Sequence, residues 1–177
     1  MDYIGSGGTD AFLKVLKDEL IPFVEEHFKV SNTDRVLIGN SLSGLAVTHS
    51  LLTRPNLFNR YIIVSPSLWW DDWYKPRDER YVMKEASTFN KSLFRNETRV
   101  YFAIGEEEEG FGMVTDLYLL IDKLRMKRID NLKMHLNVLE GEQHEGVFPS
   151  AFMKGIIGIY SNEKERRPSA SPINWEK

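Results

Sequence analysis

Four short runs, RVLIG from Arg35, YIIVSPS from Tyr61, RVYFAIG from Arg99 and LKMHLNVLEG from Leu132, constrain this chain most. Each is separated from the next by a segment in which apolar residues return every three or four positions. Three of the runs are continuously apolar, as strands are when both faces are covered. Strands of this kind alternating with helices make a parallel sheet between two helical layers. The expected fold class is therefore α/β, a three-layer α/β/α arrangement around a mainly parallel sheet of about four strands. In such a sheet the functional loops gather at the carboxyl ends of the strands.

The first helix is expected over AFLKVLKDELIPFVEEHF, capped by Thr9 or Asp10. Phe12, Leu13, Leu16, Leu20, Phe23, Val24 and Phe28 recur there at helical spacing as one apolar stripe, and Pro22 predicts a kink or break near Leu20 and Ile21. Further helices are expected from Leu45, before Phe89, through MVTDLYLLIDKLRMK and over VFPSAFMKGIIGIY. In the third of these, Met113, Leu117, Leu120, Ile121 and Leu124 make the buried face. Residues 1–160 read as one domain, and the polar, proline-containing stretch 161–177 reads as a disordered tail.

With 177 residues the chain can bury one substantial core. It has no cysteine, which removes disulfides, thiolate chemistry and cysteine-ligated zinc. No pair of histidines has ligand spacing, so no metal site is expected; no other cofactor is expected either. A net charge of −3 without a clustered basic face argues against nucleic acid. No apolar run approaches the roughly 20 residues of a membrane span, and MDYIGSGGTD lacks the form of a signal peptide. The compartment stays open.

RVLIGNSLSGLAVTHSLL reads as strand, tight turn and helix, with Ser41 in the turn. Glutamates follow the third strand and His144 follows the fourth, so the chain order is serine, acid, histidine. A serine hydroxyl is a poor nucleophile until an imidazole takes its proton, and that imidazole needs a carboxylate to orient and stabilise it. Gly39 leaves room on the strand side of the turn, and the helix aims its first N–H groups at the site. Glu108 lies far enough beyond the strand to reach inward; Glu106 and Glu107 remain open, and Glu109 completes the run. His144, in the glycine-flanked loop GEQHEG, is the candidate base. His27, His49 and His135 read as packing or surface residues. SPSLWWDDWY follows the second strand, and its tryptophans, Trp69 and Trp70 foremost, can wall an acyl or aryl group.

GSGGTDAFLKVLKDELIPFVEEHF, RVLIGNSLSGLAVTHSLLTRPNLFNRYIIVSPSLWW, the turn IGEEEEG and GEQHEGVFPSAFMKGI together resemble the Putative esterase (esterase D-like) family of the α/β-hydrolases. That family includes ferric enterobactin and other siderophore esterases, feruloyl esterases and S-formylglutathione hydrolase. The resemblance runs from about Gly5 to about Tyr160. It implies Ser41 as nucleophile, His144 as general base, an acid in the IGEEEEG turn (Glu108 by position) and the Leu42 N–H as an oxyanion donor. The family usually reads G-H-S-x-G-G, whereas Asn40 and Ser43 stand here; Ser43 adds a hydroxymethyl group at a crowded place, where strain or a shifted turn would appear.

In the family's fold several strands precede the first helix of this chain, and a loop among them supplies a second oxyanion donor. The resemblance therefore implies the C-terminal half of an α/β-hydrolase fold. The strand near Val36–Ile38 would then be an exposed apolar edge, expected to pair with another copy or with a missing N-terminal segment. The implied function is hydrolysis of a small-molecule carboxylic ester, of siderophore, feruloyl or small-acyl type. The alternative is a catalytically impaired remnant, or a fragment of a longer esterase, serving as a binding or oligomerisation module.

Overall fold

The structure, a computed structural model, describes residues 7–71 and 74–161. The stretch expected to be a tail lies, from residue 162 onward, outside the described residues, as does Trp73 of the aromatic segment. The four runs form strands β1 (Val36–Asn40), β2 (Arg60–Val64), β3 (Thr98–Gly105) and β4 (Leu132–Leu139). They lie side by side in chain order, all parallel. The intervening helices are α1 (Thr9–Val15), α2 (Ile21–His27), α3 (Leu42–Thr53), α4 (Tyr81–Thr88), α5 (Met113–Met126) and α6 (Val147–Tyr160).

Successive side chains of a strand point to opposite faces, and β2 uses both. Tyr61 and Ile63 join Leu13, Val47, Leu51, Met83, Leu117 and Leu120 in the larger core, under α1, α3, α4 and α5. Ile62 and Val64 join Tyr101, Ala103, Val147 and Ala151 in a smaller one under α6. The interior strands β2 and β3 are thus apolar from Tyr61 and Val100 onward because each is sandwiched. Alternation returns in β4: Met134, Leu136 and Val138 pack against the larger core, while Lys133 and His135 are exposed.

Pro22 does break the first helix, through a π-helical turn at Leu16–Leu20 that hands over to α2. A turn with i→i+5 bonding inserts an extra residue and rotates everything after it out of register. This is why the expected stripe fails beyond Leu16; Phe12, ahead of the turn, is exposed without that cause. Leu13 and Leu16 are buried, whereas Phe12, Leu20, Phe23 and Phe28 are exposed. The helix also starts one residue early, at Thr9, with Gly8 before it; Asp10 points instead to Arg54, whose guanidinium donates to it at 2.8 Å.

Two polar clusters fasten the larger core's helices. Buried Asp116 of α5 accepts from Arg77 and Arg80, each at 2.5 Å, which ties the segment after β2 to α5. His49 of α3 donates from Nδ1 to Glu85 of α4 at 3.0 Å, and its Nε2 lies 3.4 Å from Asp10 of α1. Tyr81 donates to the other Glu85 oxygen at 3.1 Å, and burial pushes its hydroxyl pKa up to about 12. The Glu85 hydrogen bond, followed by the charges of Glu85 and Asp10, raises the His49 pKa against the opposing effect of burial.

A raised histidine pKa stabilises the fold fully below the ordinary value and ceases to do so as pH climbs through the folded-state value. Urea unfolding midpoints are accordingly expected to decline as pH rises above 6.5 into the alkaline range. In His49→Phe that part of the decline disappears; an unchanged pH profile in the variant would count against the His49 linkage.

Candidate active site

β1 ends at Asn40 and α3 begins at Leu42, so Ser41 alone makes the connection. Its backbone stands at φ 59°, ψ −121°. Such a conformation costs a non-glycine residue about 1–3 kcal/mol and persists only where its surroundings hold it. The Ser41 N–H donates to the Val64 carbonyl of β2 at 3.1 Å, and the Ser41 carbonyl accepts from Leu45 at 3.0 Å and Ser67 at 3.1 Å. A Cβ on Gly39 would lie 2.4 Å from the Ser43 carbonyl oxygen, so only glycine enters this turn. Ser43 is accommodated without crowding. Its hydroxyl faces out, donates to the Asn40 carbonyl at 2.7 Å and accepts the Asn40 N–H at 2.9 Å, closing the turn.

The residues after β3 and β4 converge on this serine. His144 Nε2 lies 3.0 Å from Ser41 Oγ, and His144 Nδ1 lies 2.7 Å from Glu108 Oε2. With Nδ1 carrying the proton donated to Glu108, Nε2 accepts from the Ser41 hydroxyl. Glu108 is 1% exposed, and its other oxygen accepts from the Gly105 N–H at 2.8 Å and the Ser65 hydroxyl at 2.6 Å. A buried carboxylate needs such partners. Of the four glutamates, only Glu108 meets the histidine. Glu107 is exposed, Glu106 accepts from the Gly141 N–H at 3.3 Å, and Glu109 is held by Thr115. The Thr115 hydroxyl and N–H keep the Glu109 pKa below the usual carboxylate range.

The two loops meet through their backbones. Glu107 N–H donates to the Glu142 carbonyl at 3.2 Å, and a Cβ on Gly105 would lie 2.2 Å from that same oxygen. The absent side chain lets the His144 loop settle against the Glu108 turn. Leu42 opens α3, where first-turn N–H groups have no partner within the helix. Trp70 and Leu42 line a cleft of about 360 Å³ beside the turn, whereas Trp69 packs half-buried against the larger core.

Ser65 and Ser67 are the members of the site that the sequence reading missed. Ser65 is fully buried at φ 42°, and the Ser67 hydroxyl lies 3.3 Å from Ser41 Oγ. The available signal was their place, two small polar residues where an apolar strand ends beside the serine turn. Among the described residues no group of three or more His, Asp or Glu side chains is arranged to hold a metal ion, and no helix is long and apolar enough to cross a membrane.

The parallel sheet, its helical layers and the turn at Ser41 define an α/β-hydrolase fold. The profile of the Putative esterase family matches residues 4–159, and the chain belongs to that family. It is 27% identical over 147 residues to the ferri-bacillibactin esterase BesA of Bacillus subtilis, an alignment spanning 81% of this chain and 48% of the relative. The crystal structure of the BES protein from Bacillus cereus superposes with a TM-score of 0.71 at 30% identity, covering 86% of this chain and 56% of that one. The siderophore hydrolase EstB from Aspergillus nidulans gives a TM-score of 0.69 at 27% identity, with 85% and 56% covered. The chain thus spans about half the length of these relatives.

Gly105→Ala is expected to push the two loops apart. Overpacking of this kind costs about 1–3 kcal/mol, readable by urea unfolding, and the low-field proton resonance of the His144–Glu108 hydrogen bond should vanish. Retention of that resonance would refute the close-approach argument.

Proposed function

We propose that the protein hydrolyses small-molecule carboxylic esters through an acyl-enzyme on Ser41. The observation that carries this reading is the continuous row Ser41–His144–Glu108 at the carboxyl ends of parallel strands. As Ser41 Oγ attacks the ester carbonyl, His144 Nε2 takes its proton, and Glu108 steadies the imidazolium. The oxyanion forms next to the Leu42 N–H, at the positive end of α3. Collapse of this intermediate breaks the bond to the leaving oxygen, which receives the proton from His144. A water then gives its proton to His144 and attacks the acyl carbon. The second collapse returns the proton to Ser41 Oγ and releases the acid. An assembled and hydrogen-bonded row weighs against the reading of an impaired remnant. The relatives named for siderophore esters make that ester type the first to assay, with feruloyl and simple acyl esters beside it.

A fluorophosphonate probe is expected to label Ser41, and Ser41→Ala to abolish labelling. His144→Ala should lower p-nitrophenyl acetate turnover by about 10²–10⁴, the usual contribution of a general base; Glu108→Gln should lower it less. A well-folded sample that takes no label between pH 6 and 9 would overturn the assignment.

We also propose that the chain self-associates along β1. Among the described residues β1 pairs only with β2. The opposite edge, β4, carries Lys133 and His135, exposed charge and polarity of the sort that blunts an edge. The sequence VLIGN of β1 carries no charged residue. Size-exclusion chromatography with light scattering should give a dimer or larger species at micromolar concentration; a clean monomer would refute it.

A further inference from the structure

The cleft beside Ser41 has an internal order that the hydrolysis reading does not use. Leu42, Leu45, Ala46 and His49 line it, and these are positions i, i+3, i+4 and i+7 of α3, a single helical face. Trp70 and Val82, from outside α3, line it as well. The cleft is therefore a groove that starts at the residue next to Ser41 and runs along the helix. Leu42, Leu45, Ala46, Trp70 and Val82 make it apolar, and its polar lining comes from Thr9, Asp10, His49 and Tyr81. Seven residue steps of helix lead from Leu42 to His49, about 10 Å at 1.5 Å per residue, the reach of an extended chain of about eight atoms.

The direction of the groove matches the acyl side of an ester. A leaving oxygen must face His144 Nε2 to receive its proton, whereas the oxyanion faces the Leu42 N–H. The remaining substituent of the acyl carbon then leaves over the first turn of α3. None of the residues lining the groove comes from the His144 or Glu108 loops, so the groove lies away from the leaving-group side.

At the far end, His49 Nε2 and the Asp10 carboxylate stand 3.4 Å apart, a long contact for a pair in which His49 is otherwise firmly fixed by Glu85 at 3.0 Å. With both ring nitrogens protonated, His49 Nε2–H can donate to a hydroxyl oxygen set beside this pair while the hydroxyl's own proton goes to Asp10, so a hydroxyl can replace the long direct contact. The carboxylates of Asp10 and Glu85 disfavour an anion there, and the Arg54 guanidinium on Asp10 disfavours a cation.

We propose that this groove is the acyl subsite, and that it takes an elongated apolar acyl chain bearing a hydroxyl about eight atoms from the reacting carbonyl, seated against His49 and Asp10 at the groove's far end. The inference rests on the esterase reading for its direction. His49 and Tyr81 are positioning residues at the groove's end.

The test compares binding of two non-hydrolysable probes, N-methyl-8-hydroxyoctanamide and N-methyloctanamide, followed by tryptophan fluorescence because Trp70 lines the groove. The hydroxylated probe is expected to bind about 3- to 10-fold more tightly, the net effect of one hydrogen bond. His49→Phe should bring that ratio to about 1, and Ala46→Trp, which fills the groove, should abolish binding of both probes. Should His49→Phe fail to fold by circular dichroism, Tyr81→Phe and Ala46→Trp carry the same test, Tyr81→Phe lowering the ratio. Equal binding of the two probes, no saturable binding of either at millimolar concentration, or an unchanged ratio in His49→Phe or Tyr81→Phe would overturn the proposal. Ser41→Ala should keep the ratio. Discrimination without fluorophosphonate labelling of Ser41 would therefore remove only the hydrolase reading, and labelling without discrimination would remove only the acyl subsite.

Discussion

The strained backbone of Ser41 depends on the pairing of β1 with β2. The carbonyl of Val64, the last residue of β2, receives the Ser41 N–H, and Ser67, three residues on, holds the Ser41 carbonyl. A shift of either strand by one residue would remove both restraints and turn every side chain of the strand to the other face. Register in the sheet and geometry at the serine are thus one constraint. It is enforced by the burial of Tyr61 and Ile63 on one face and of Ile62 and Val64 on the other.

Around that fixed point, the site is assembled by strand ends rather than by long loops. β1 delivers Ser41, β2 delivers Ser65 and Ser67, β3 delivers Glu108 and β4 delivers His144. Because neighbouring parallel strands end at similar heights, a short excursion suffices for each side chain to reach the next. The six-residue 3₁₀ turn Glu106–Phe111 presents Glu108 inward and leaves its three glutamate neighbours in solvent.

Much of this was legible in the sequence. Continuous apolar runs, short, rich in Val, Ile, Tyr and Phe and bounded by turn residues, identify sandwiched strands. The turn at Ser41 was legible because glycine at 39 and a serine two residues later, between an apolar strand and a helix, match a nucleophile turn and are followed by an acid and a histidine in order. Glu108 was legible only by reach, since four adjacent glutamates are chemically alike and the 3₁₀ turn decides which of them faces in. The set around His49 was not legible at all. Its partners Glu85 and Asp10 lie 36 and 39 residues away, and only the packing of α1 and α4 on α3 brings them together. The apolar stripe of the first helix misled beyond Leu16 for a local reason, the π turn that Pro22 follows.

The hydrogen bonds to Glu108 also bear on how this site can change. One carboxylate oxygen is occupied by Gly105 and Ser65, leaving the other for His144. The group is therefore clamped at a fixed angle, and the clamp involves the third strand's end, the second strand's end and the histidine loop together. Exchanging the glutamate for the shorter aspartate would withdraw the carboxylate by one methylene from all three at once. Descendants of this chain can make that exchange only by redrawing the turn after β3 in the same step, so the identity of the acid and the shape of the turn evolve as a single character.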